Sequence, residues 1–307
     1  MMEQVPTSVL SDDPCHLGEG PTYDVTTDTA WWFDIREGRL FEAQLGSGSI
    51  RVHALGRMAS ALGRIDAERQ LIVAEDGLYI RKLADGAMTL FCPLEADNPA
   101  TRSNDCRVHQ SGTFWIGTMG KKAEPKAGAI YALHRGKIST LFPGISIPNS
   151  ICFSPDGAIG YFTDTARAVL YAVPLNPATG LPRGEPEVLL RHTGIGGLDG
   201  SVCDADGNIW NACWGASRID VYSPQGERLR SLSVPAKQAS CPAFVGSDLS
   251  RLLVTSAWQD MDAAGRAADP QAGCTFLLEA SARGRAEPRR QARIGDRRQP
   301  TTTFSTK

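Results

Sequence analysis

The stretch LDGSVCDADGNIWN, residues 198–211, decides the fold. It places a carboxylate, Asp199, at the start of an apolar run, then a turn that ends at Gly207, then a second apolar run that contains Trp210. Asp and Gly favour tight turns, whereas β-branched and aromatic residues favour strands. The stretch therefore predicts a β-hairpin with one acidic side chain at its entrance.

The same pattern of an inner run, a turn and a strongly apolar run recurs through the chain. Its copies begin at Leu17, Ser60, Ser103, Pro148, Leu198 and Ser240. They lie about 40 to 50 residues apart, which is the length of one four-stranded propeller blade. We therefore predict an all-β fold, a six-bladed β-propeller in which the first strand of each blade lines a central channel.

The two ends of the chain suggest how the ring closes. The sixth copy lacks an obvious fourth strand, and the unassigned run TSVL at 7–10 can supply it. Closure by the opposite terminus removes an exposed sheet edge. We expect residues 1–288 to form one propeller domain of this kind. Residues 289–307, which are basic and finally Thr-rich, are expected to form a disordered tail.

Composition favours a small-molecule partner. The 307 residues are 42% hydrophobic and 21% charged, with a formal net charge of −2, so we expect no nucleic-acid partner. The N-terminus has no secretory pattern, and we expect no membrane span. These features predict a cytoplasmic protein, a monomer or a homodimer. The eight cysteines form no CxxC pair and are interpreted as buried free thiols.

Four oxygen-bearing side chains share one position in the repeat. Asn104, Asn149 and Asp199 each lie eight residues before the glycine of the following turn, and Glu19 takes the matching place in the first copy. Two carboxylates that converge in a channel repel each other and lose hydration unless a proton or a cation lies between them. The repeat therefore predicts a central site for a divalent metal ion. Ca²⁺, Mg²⁺ and Mn²⁺ suit all-oxygen ligands, with Zn²⁺ and Fe²⁺ as alternatives.

Four groups of short motifs extend this interpretation. They are LGEGP at 17–21, RSND at 102–105 with GTM at 117–119, IPNS at 147–150, and DGS at 199–201 with WNA at 210–212. Through these motifs the chain resembles the senescence marker protein/gluconolactonase/regucalcin-like family. The segment GTMGKKAE at 117–124 is similar to bacterial sugar lactonases of that family.

The resemblance implies a six-bladed propeller that hydrolyses a sugar (aldono) lactone to the open-chain sugar acid with one divalent metal ion. Its metal ligands fall on Glu19, Asn149 and Asp199. In the implied mechanism the metal polarises the lactone carbonyl and activates water, and Asp199 acts as the base.

The resemblance also places substrate contacts at Arg102, Asn104 and Lys122. Lys122 stands where animal members similar to regucalcin carry a glutamate, so their substrate preference is not transferred to this chain. Cys106 stands where the family usually has glycine. Strand alternation would point Cys106 and Cys203 toward the channel, which raises a further hypothesis of a thiol near the metal.

Two other functions remain open. The same fold can carry a metal-dependent organophosphate or aryl esterase, or a non-enzymatic calcium-binding propeller. Arg102 and the asparagines favour a hydroxylated substrate over an apolar one. The sequence has no GxSxG segment and no HExxH site, which disfavours a serine nucleophile and a zinc protease. Trp214 and Trp258 are candidates for a wall against the face of a sugar.

Overall fold

The computed structural model describes residues 2–288, and the predicted tail at 289–307 lies outside the described residues. The described strands form six antiparallel sheets. The innermost strands of successive sheets contact one another in a ring. The prediction of an all-β, six-bladed propeller is confirmed.

The strands are numbered along the chain. The first is β1 (Thr7–Ser11). Blade one contains β2 (Gly18–Asp24), β3 (Thr29–Asp34), β4 (Arg39–Gln44) and β5 (Ser49–Ala54). Blade two contains β6 (Ala59–Arg64), β7 (Arg69–Ala74), β8 (Gly77–Lys82) and β9 (Met88–Pro93). Blade three contains β10 (Thr101–Val108), β11 (Phe114–Gly120), β12 (Gly128–His134) and β13 (Lys137–Ile145).

The second half of the ring repeats this plan. Blade four contains β14 (Pro148–Phe153), β15 (Ile159–Asp164), β16 (Val169–Asn176), β17 (Leu181–Pro182) and β18 (Glu187–Arg191). Blade five contains β19 (Gly197–Cys203), β20 (Ile209–Trp214), β21 (Arg218–Tyr222) and β22 (Arg228–Ser233). Blade six contains β23 (Ala239–Val245), β24 (Arg251–Ser256) and β25 (Thr275–Glu279).

Two short helices lie in loops between strands. They are a 3₁₀-helix at Thr165–Arg167 and α1 at Ala263–Ala268. Among residues 2–288, no helix combines the length and the hydropathy that a membrane crossing requires.

Blade six obtains its outermost strand from the N-terminus. Strand β1 pairs antiparallel with β25, with Thr7 opposite Leu278 and Val9 opposite Phe276. The sheet order in this blade is therefore β1-β25-β24-β23. The edge of β25, which would otherwise expose unpaired backbone groups, is covered by the opposite end of the chain.

The hairpin of residues 198–211 shows how a turn sets the register of a blade. Asp204 Oδ1 accepts hydrogen bonds from Asp206 N at 3.0 Å and Asn208 N at 2.8 Å, and Asp204 Oδ2 accepts one from Trp210 Nε1 at 2.9 Å. The carboxylate thus closes the turn and anchors the buried Trp210 ring. This Asp-rich turn is structural and lies away from the channel axis.

Apolar side chains of the second strands pack against neighbouring blades. The Trp115 ring of β11 meets Phe153 of β14 edge-on at 5.3 Å, and the Trp210 ring of β20 meets Phe244 of β23 at 5.4 Å. Each aromatic side chain that is fully buried in this way contributes about 1.5–3 kcal/mol. The blades are therefore held against each other by side chains, and the channel between their inner strands has a fixed shape.

Each inner strand carries a β-bulge against its neighbour. The register shifts fall between Glu19 and Thr22, Ala59 and Ala61, Ser103 and Cys106, Asn149 and Cys152, Leu198 and Ser201, and Ala239 and Pro242. A bulge adds one residue to a strand and re-aims the side chains around it. The bulges thus lie at the same level of the channel as the four oxygen-bearing residues predicted from the repeat.

We expect closure by β1 to be required for full stability. Deleting residues 1–11 would leave β25 as an open edge, so the melting temperature should fall by roughly 5 °C or more and the protein should associate at high concentration. Thermal unfolding and light scattering measure the two effects. A deletion of residues 1–4, which keeps β1, is the control and should lower the melting temperature less. Equal melting temperatures for the full chain and the longer deletion would contradict this role of β1.

Candidate active site

A cavity of about 200 Å³ opens where the inner strands begin. Its apolar lining consists of Leu17, Met119, Ala123, Ile147 and Trp214. Its polar lining consists of Glu19, Arg102, Asn104, Asn149, Thr165, Asp199, Gln259 and Asp260. The four residues that share one position in the repeat, together with Arg102, therefore lie around one space. The size suits a small ligand such as a monosaccharide derivative.

A chain of hydrogen bonds crosses the cavity floor from blade three to blade five. Arg102 Nη1 donates to Asn104 Oδ1 at 2.7 Å, and Asn104 Nδ2 donates to Asn149 Oδ1 at 2.8 Å. Asn149 Nδ2 donates to Thr165 Oγ1 at 3.0 Å, whose hydroxyl donates to the Leu198 carbonyl at 2.7 Å. Each amide has its orientation fixed by a partner on either side.

The bulge in β14 holds Asn149 and Asp199 against each other. Ser150 has a φ of 56°, in a left-handed region that a non-glycine residue seldom adopts. Its hydroxyl donates to the Asp199 carbonyl at 2.6 Å, and Asn211 Nδ2 donates to the same carbonyl at 2.9 Å. The first bond joins blade four to blade five, and the second lies within blade five. Two side chains therefore position the backbone at Asp199.

The two carboxyl groups of the cavity are buried and repel each other. Glu19 is 4% exposed and Asp199 is 5% exposed. Burial, and then the charge of Asp105, raise the pKa of Glu19 to about 8. Burial, and then the charge of Glu19, raise the pKa of Asp199 well above its ordinary value. The site thus lacks a positive charge large enough to keep both groups ionised.

The donor set fits a divalent metal ion. Glu19 and Asp199 offer two carboxylates, and the Asn149 amide oxygen keeps a second lone pair beside the bond from Asn104. These are the oxygen ligands that hard cations prefer. A divalent charge would also offset the repulsion that raises the pKa of each carboxyl group. Glu19, Asn149 and Asp199 are therefore the residues that could hold such an ion.

Lys122 is exposed on the loop after β11. It adjoins Ala123, which lines the cavity, but the Lys122 side chain is not part of the described lining. Its backbone N–H donates to Glu124 Oε2 at 3.0 Å. Its predicted role as a substrate contact therefore stays a prediction.

The thiols predicted to point toward the channel also lie outside the described cavity lining. Cys106 Sγ donates to the Asn104 carbonyl at 3.3 Å, and Cys203 Sγ lies 3.7 Å from Cys152 Sγ. Burial raises the pKa of the Cys106 thiol well above its ordinary value. The bulges change the side-chain alternation on which the hypothesis of a metal-proximal thiol was based.

The two tryptophans that are candidates for a sugar-binding wall lie in different environments. Trp214 lines the cavity. The Trp258 ring stacks on His16 at 4.0 Å, and the Arg266 guanidinium lies 4.5 Å from its centre. Trp258 is therefore engaged at the periphery, and Trp214 is the aromatic side chain that a ligand in the cavity would meet.

Asp105 is a site residue that sequence reasoning missed. It is 3% exposed, and its Oδ2 accepts a hydrogen bond of 2.6 Å from Ile151 N, two residues after Asn149. Its Oδ1 is buried without a hydrogen-bond partner among the described residues. Burial raises the pKa of Asp105 to about 6. The only sequence signal was its position next to Asn104.

A separate group of potential metal ligands lies between blades four and five. The ligand atoms of His192, Cys213 and Asp220 all lie within 4.8 Å of one another. Both Asp220 oxygens, however, accept from Arg218 Nε at 3.0 Å, and Ser231 Oγ donates to Asp220 Oδ1. The carboxylate is therefore already paired, which favours a structural role at the blade interface.

Comparison with known proteins places the whole propeller among related chains. A family model described as SMP-30/Gluconolactonase/LRE-like region matches residues 17–258. A Rhizobium meliloti protein assigned as a sugar lactone lactonase is 52% identical over 94% of this chain and 99% of its own length. The L-arabinolactonase of Azospirillum brasilense is 32% identical over 92% of this chain and 94% of its own length. A solved calcium-binding protein, regucalcin, from Agrobacterium tumefaciens has a TM-score of 0.93 and 52% identity, covering 95% of this chain and 99% of that chain.

The raised pKa of Glu19 predicts a pH-dependent stability of the metal-free protein. A carboxyl group whose pKa is about 8 when folded and about 4.5 ordinarily binds its proton more tightly in the folded state. The free energy of unfolding should therefore fall as pH rises from about 4.5 to about 8. Urea unfolding in excess chelator at several pH values measures this slope.

The matched variant for this measurement is Glu19→Gln, which keeps the shape and removes the titration. Its free energy of unfolding should vary less across the same pH range. A divalent ion that binds the site should reduce the slope of the unsubstituted protein. An identical slope in protein and variant would exclude Glu19 as its source.

Asp105 should contribute to stability by accepting the Ile151 N–H. Asp105→Ala leaves a buried donor without a partner, so the free energy of unfolding should fall by about 1–3 kcal/mol. Asp105→Asn retains an acceptor oxygen and should lose less than half as much. Denaturant unfolding of both variants in chelator separates the effect from metal binding. Equal losses in the two variants would show that the charge, and not the hydrogen bond, is what matters.

Proposed function

Because this chain belongs to the SMP-30/gluconolactonase/LRE-like family, we propose that it hydrolyses a sugar (aldono) lactone to the open-chain sugar acid with the help of one divalent metal ion. The single observation that carries the proposal is the pair of buried, mutually repelling carboxyl groups, Glu19 and Asp199, in one cavity with Asn149. The names of the relatives, a sugar lactone lactonase and an L-arabinolactonase, support lactone hydrolysis.

Glu19, Asn149 and Asp199 would hold the metal. When bound, a divalent ion polarises a carbonyl oxygen and lowers the pKa of coordinated water. The calcium-binding name of the solved relative supports a divalent cation. Ca²⁺, Zn²⁺, Mn²⁺, Mg²⁺ and Fe²⁺ all suit a site with oxygen ligands and open positions.

Asp199 is proposed as the general base. Its carboxylate lies in the cavity and its backbone is held by Ser150 and Asn211, so it is positioned to accept a proton from attacking water. General-base catalysis contributes about 10² to 10⁴ in rate. The proton would move from water to an Asp199 oxygen as the water oxygen attacks the lactone carbon. The ring C–O bond then breaks, and the released ring oxygen takes the proton back from Asp199 to become a hydroxyl group of the open-chain acid.

Asn104 and Arg102 would orient the lactone. Asn104 Nδ2 donates to the Pro148 carbonyl and to Asn149 Oδ1, and its Oδ1 accepts from Arg102, so the amide is fixed and its Oδ1 keeps one lone pair for a sugar hydroxyl. The Trp214 ring supplies an apolar surface for one face of the sugar. The polar side chains that converge on the cavity, Arg102, Asn104 and Asn149 among them, favour a hydroxylated lactone over an apolar aryl ester or organophosphate.

Acid release from aldono-1,4- and 1,5-lactones tests the function. We expect hydrolysis faster than the buffer blank in at least one of the five metals, and loss of that activity in excess chelator with recovery on metal addition. Aryl esters and organophosphates, measured in parallel, should react more slowly. If the protein binds calcium but opens no lactone in any metal, it is a calcium-binding propeller and the proposed function is wrong.

Two Asp-to-Asn substitutions test whether Asp199 is the general base. Asp199→Asn should reduce kcat by about 10² or more, because it removes the proton acceptor and one ligand charge. Asp206→Asn, in the exposed turn of the same blade, should retain wild-type kcat. Circular dichroism controls for folding. An Asp199→Asn enzyme with wild-type kcat at saturating metal would remove Asp199 from the mechanism.

A further inference from the structure

One wall of the cavity carries a positive charge that no described carboxylate pairs with. Arg102 is 3% exposed. Its Nη1 donates to the Ser103 carbonyl at 2.8 Å and to Asn104 Oδ1 at 2.7 Å, and its Nε has no partner among the described residues. It forms no salt bridge within residues 2–288. A buried charge without a counter-ion is costly.

A second guanidinium lies at the same wall. Arg36 Nε donates to Gln259 Oε1 at 3.1 Å, and Arg36 Nη2 donates to the Lys121 carbonyl at 3.2 Å. Gln259 lines the cavity, so Arg36 stands directly behind the lining. Burial, and then the charge of Arg36, lower the pKa of Arg102 to about 10. Arg102 therefore stays cationic at neutral pH.

The remaining charges near the cavity are accounted for in other ways. Glu19 and Asp199 act on the Arg102 charge without forming a salt bridge with it, and the divalent ion of the proposed function would offset both carboxylates. Arg107 Nη1, deeper in the channel, pairs with Glu287 Oε1 at 2.7 Å.

Two further charged side chains, Lys121 and Asp260, lie near this wall at the opening of the cavity. Lys121 Nζ pairs with Glu75 Oε2 at 2.5 Å. Asp260 is exposed at the opening, where its Oδ2 accepts from Gln259 Nε2 at 3.2 Å. Lys122, on the exposed loop beside Ala123, has no salt bridge either, but Arg102 and Arg36 are the arginines at this wall that lack a carboxylate partner among the described residues.

We propose that the lactone bears a second acid group, a carboxylate on the carbon farthest from the lactone carbonyl, and that Arg102 binds this carboxylate while Arg36, behind Gln259, adds a second positive charge at the same wall. The substrate class is thus the monolactone of a sugar diacid. A guanidinium offers paired donors that match the two oxygens of a carboxylate. This inference rests on the proposed function, because it takes the ligand to be a lactone substrate. Binding of a carboxylate at this wall can nevertheless be measured without turnover.

A bound ligand makes a counter-charge for Arg102 more important. Arg102 lines the cavity, and a ligand that fills about 200 Å³ would exclude water from it. A neutral lactone would leave the guanidinium without water and without a counter-ion, in surroundings where charges interact strongly. A carboxylate restores the lost interaction. The site should therefore discriminate by charge as well as by shape.

The test uses a matched pair of lactones that differ only at C6. D-glucaro-1,4-lactone has a carboxylate there, and D-glucono-1,4-lactone has a hydroxymethyl group. With the metal-loaded full chain we expect kcat/KM for the glucarolactone to exceed that for the gluconolactone by about 10-fold or more, mainly through KM. Hydrolysis of the gluconolactone at an equal or higher kcat/KM would overturn the inference while leaving lactone hydrolysis in place.

Arg36→Gln tests the proposed wall, with Arg167→Gln as its control. Arg167 is an exposed arginine of the 3₁₀-helix that begins at the cavity residue Thr165. Arg36→Gln should raise KM for the glucarolactone about fivefold or more and change kinetics with the gluconolactone less than twofold. Arg167→Gln should change neither. A loss that is equal for both lactones in Arg36→Gln would indicate a structural role and overturn the inference.

A binding measurement separates this inference from the proposed function. Calorimetric titration compares glucarate, with two carboxylates, against gluconate, with one. Glucarate should bind at least about 10-fold more tightly, and Arg36→Gln should remove most of the difference. If neither lactone is hydrolysed but this preference is present, the proposed function fails and the anion site stands. Equal affinities for the two acids would overturn the anion site.

Discussion

The repulsion between two buried carboxyl groups is the constraint around which this channel is organised. Glu19 of blade one and Asp199 of blade five lie in one cavity, and burial and mutual charge raise the pKa of both groups. Such a pair destabilises an isolated fold unless protons or a cation compensate. The protein nevertheless supports the pair with fixed amides and a braced backbone, which is the arrangement expected where a cation is bound.

The propeller supplies the rigidity that this pair requires. Aromatic side chains fix each blade against the next, and six inner strands meet around the channel with a bulge in each. At the bulge in β14, the left-handed Ser150 bonds to the backbone of Asp199 across the blade boundary. Strain in one strand is thus maintained by contacts with its neighbour, so the positions of Asn149 and Asp199 are coupled.

The cavity is also asymmetric in charge. The carboxylates of Glu19 and Asp199, which suit a cation, form one region of the lining, and the guanidinium of Arg102, with Arg36 behind Gln259, forms another. The two regions are connected through Asn104, which bonds to Arg102 on one side and to Asn149 on the other. A ligand with an ester carbonyl at one end and a carboxylate at the other would satisfy both regions at once.

The sequence by itself determined the features that repeat. Six copies of a strand-turn-strand pattern specified six blades, and the constant distance to the turn glycine selected Asn104, Asn149 and Asp199, with Glu19 by analogy. All four line one cavity, because residues at one phase of symmetry-related strands must meet at the axis.

Only the tertiary structure decided the features that do not repeat. Arg36, Gln259 and Asp260 come from loops of different blades and have no common spacing, so their convergence depends on how the blades pack. Asp105 became important because its side chain reaches the backbone of the next blade. The bulges add a residue to each inner strand and change the direction of side chains beyond them, an effect that simple alternation along the sequence does not include. Periodicity is local information, whereas these contacts depend on the closed ring.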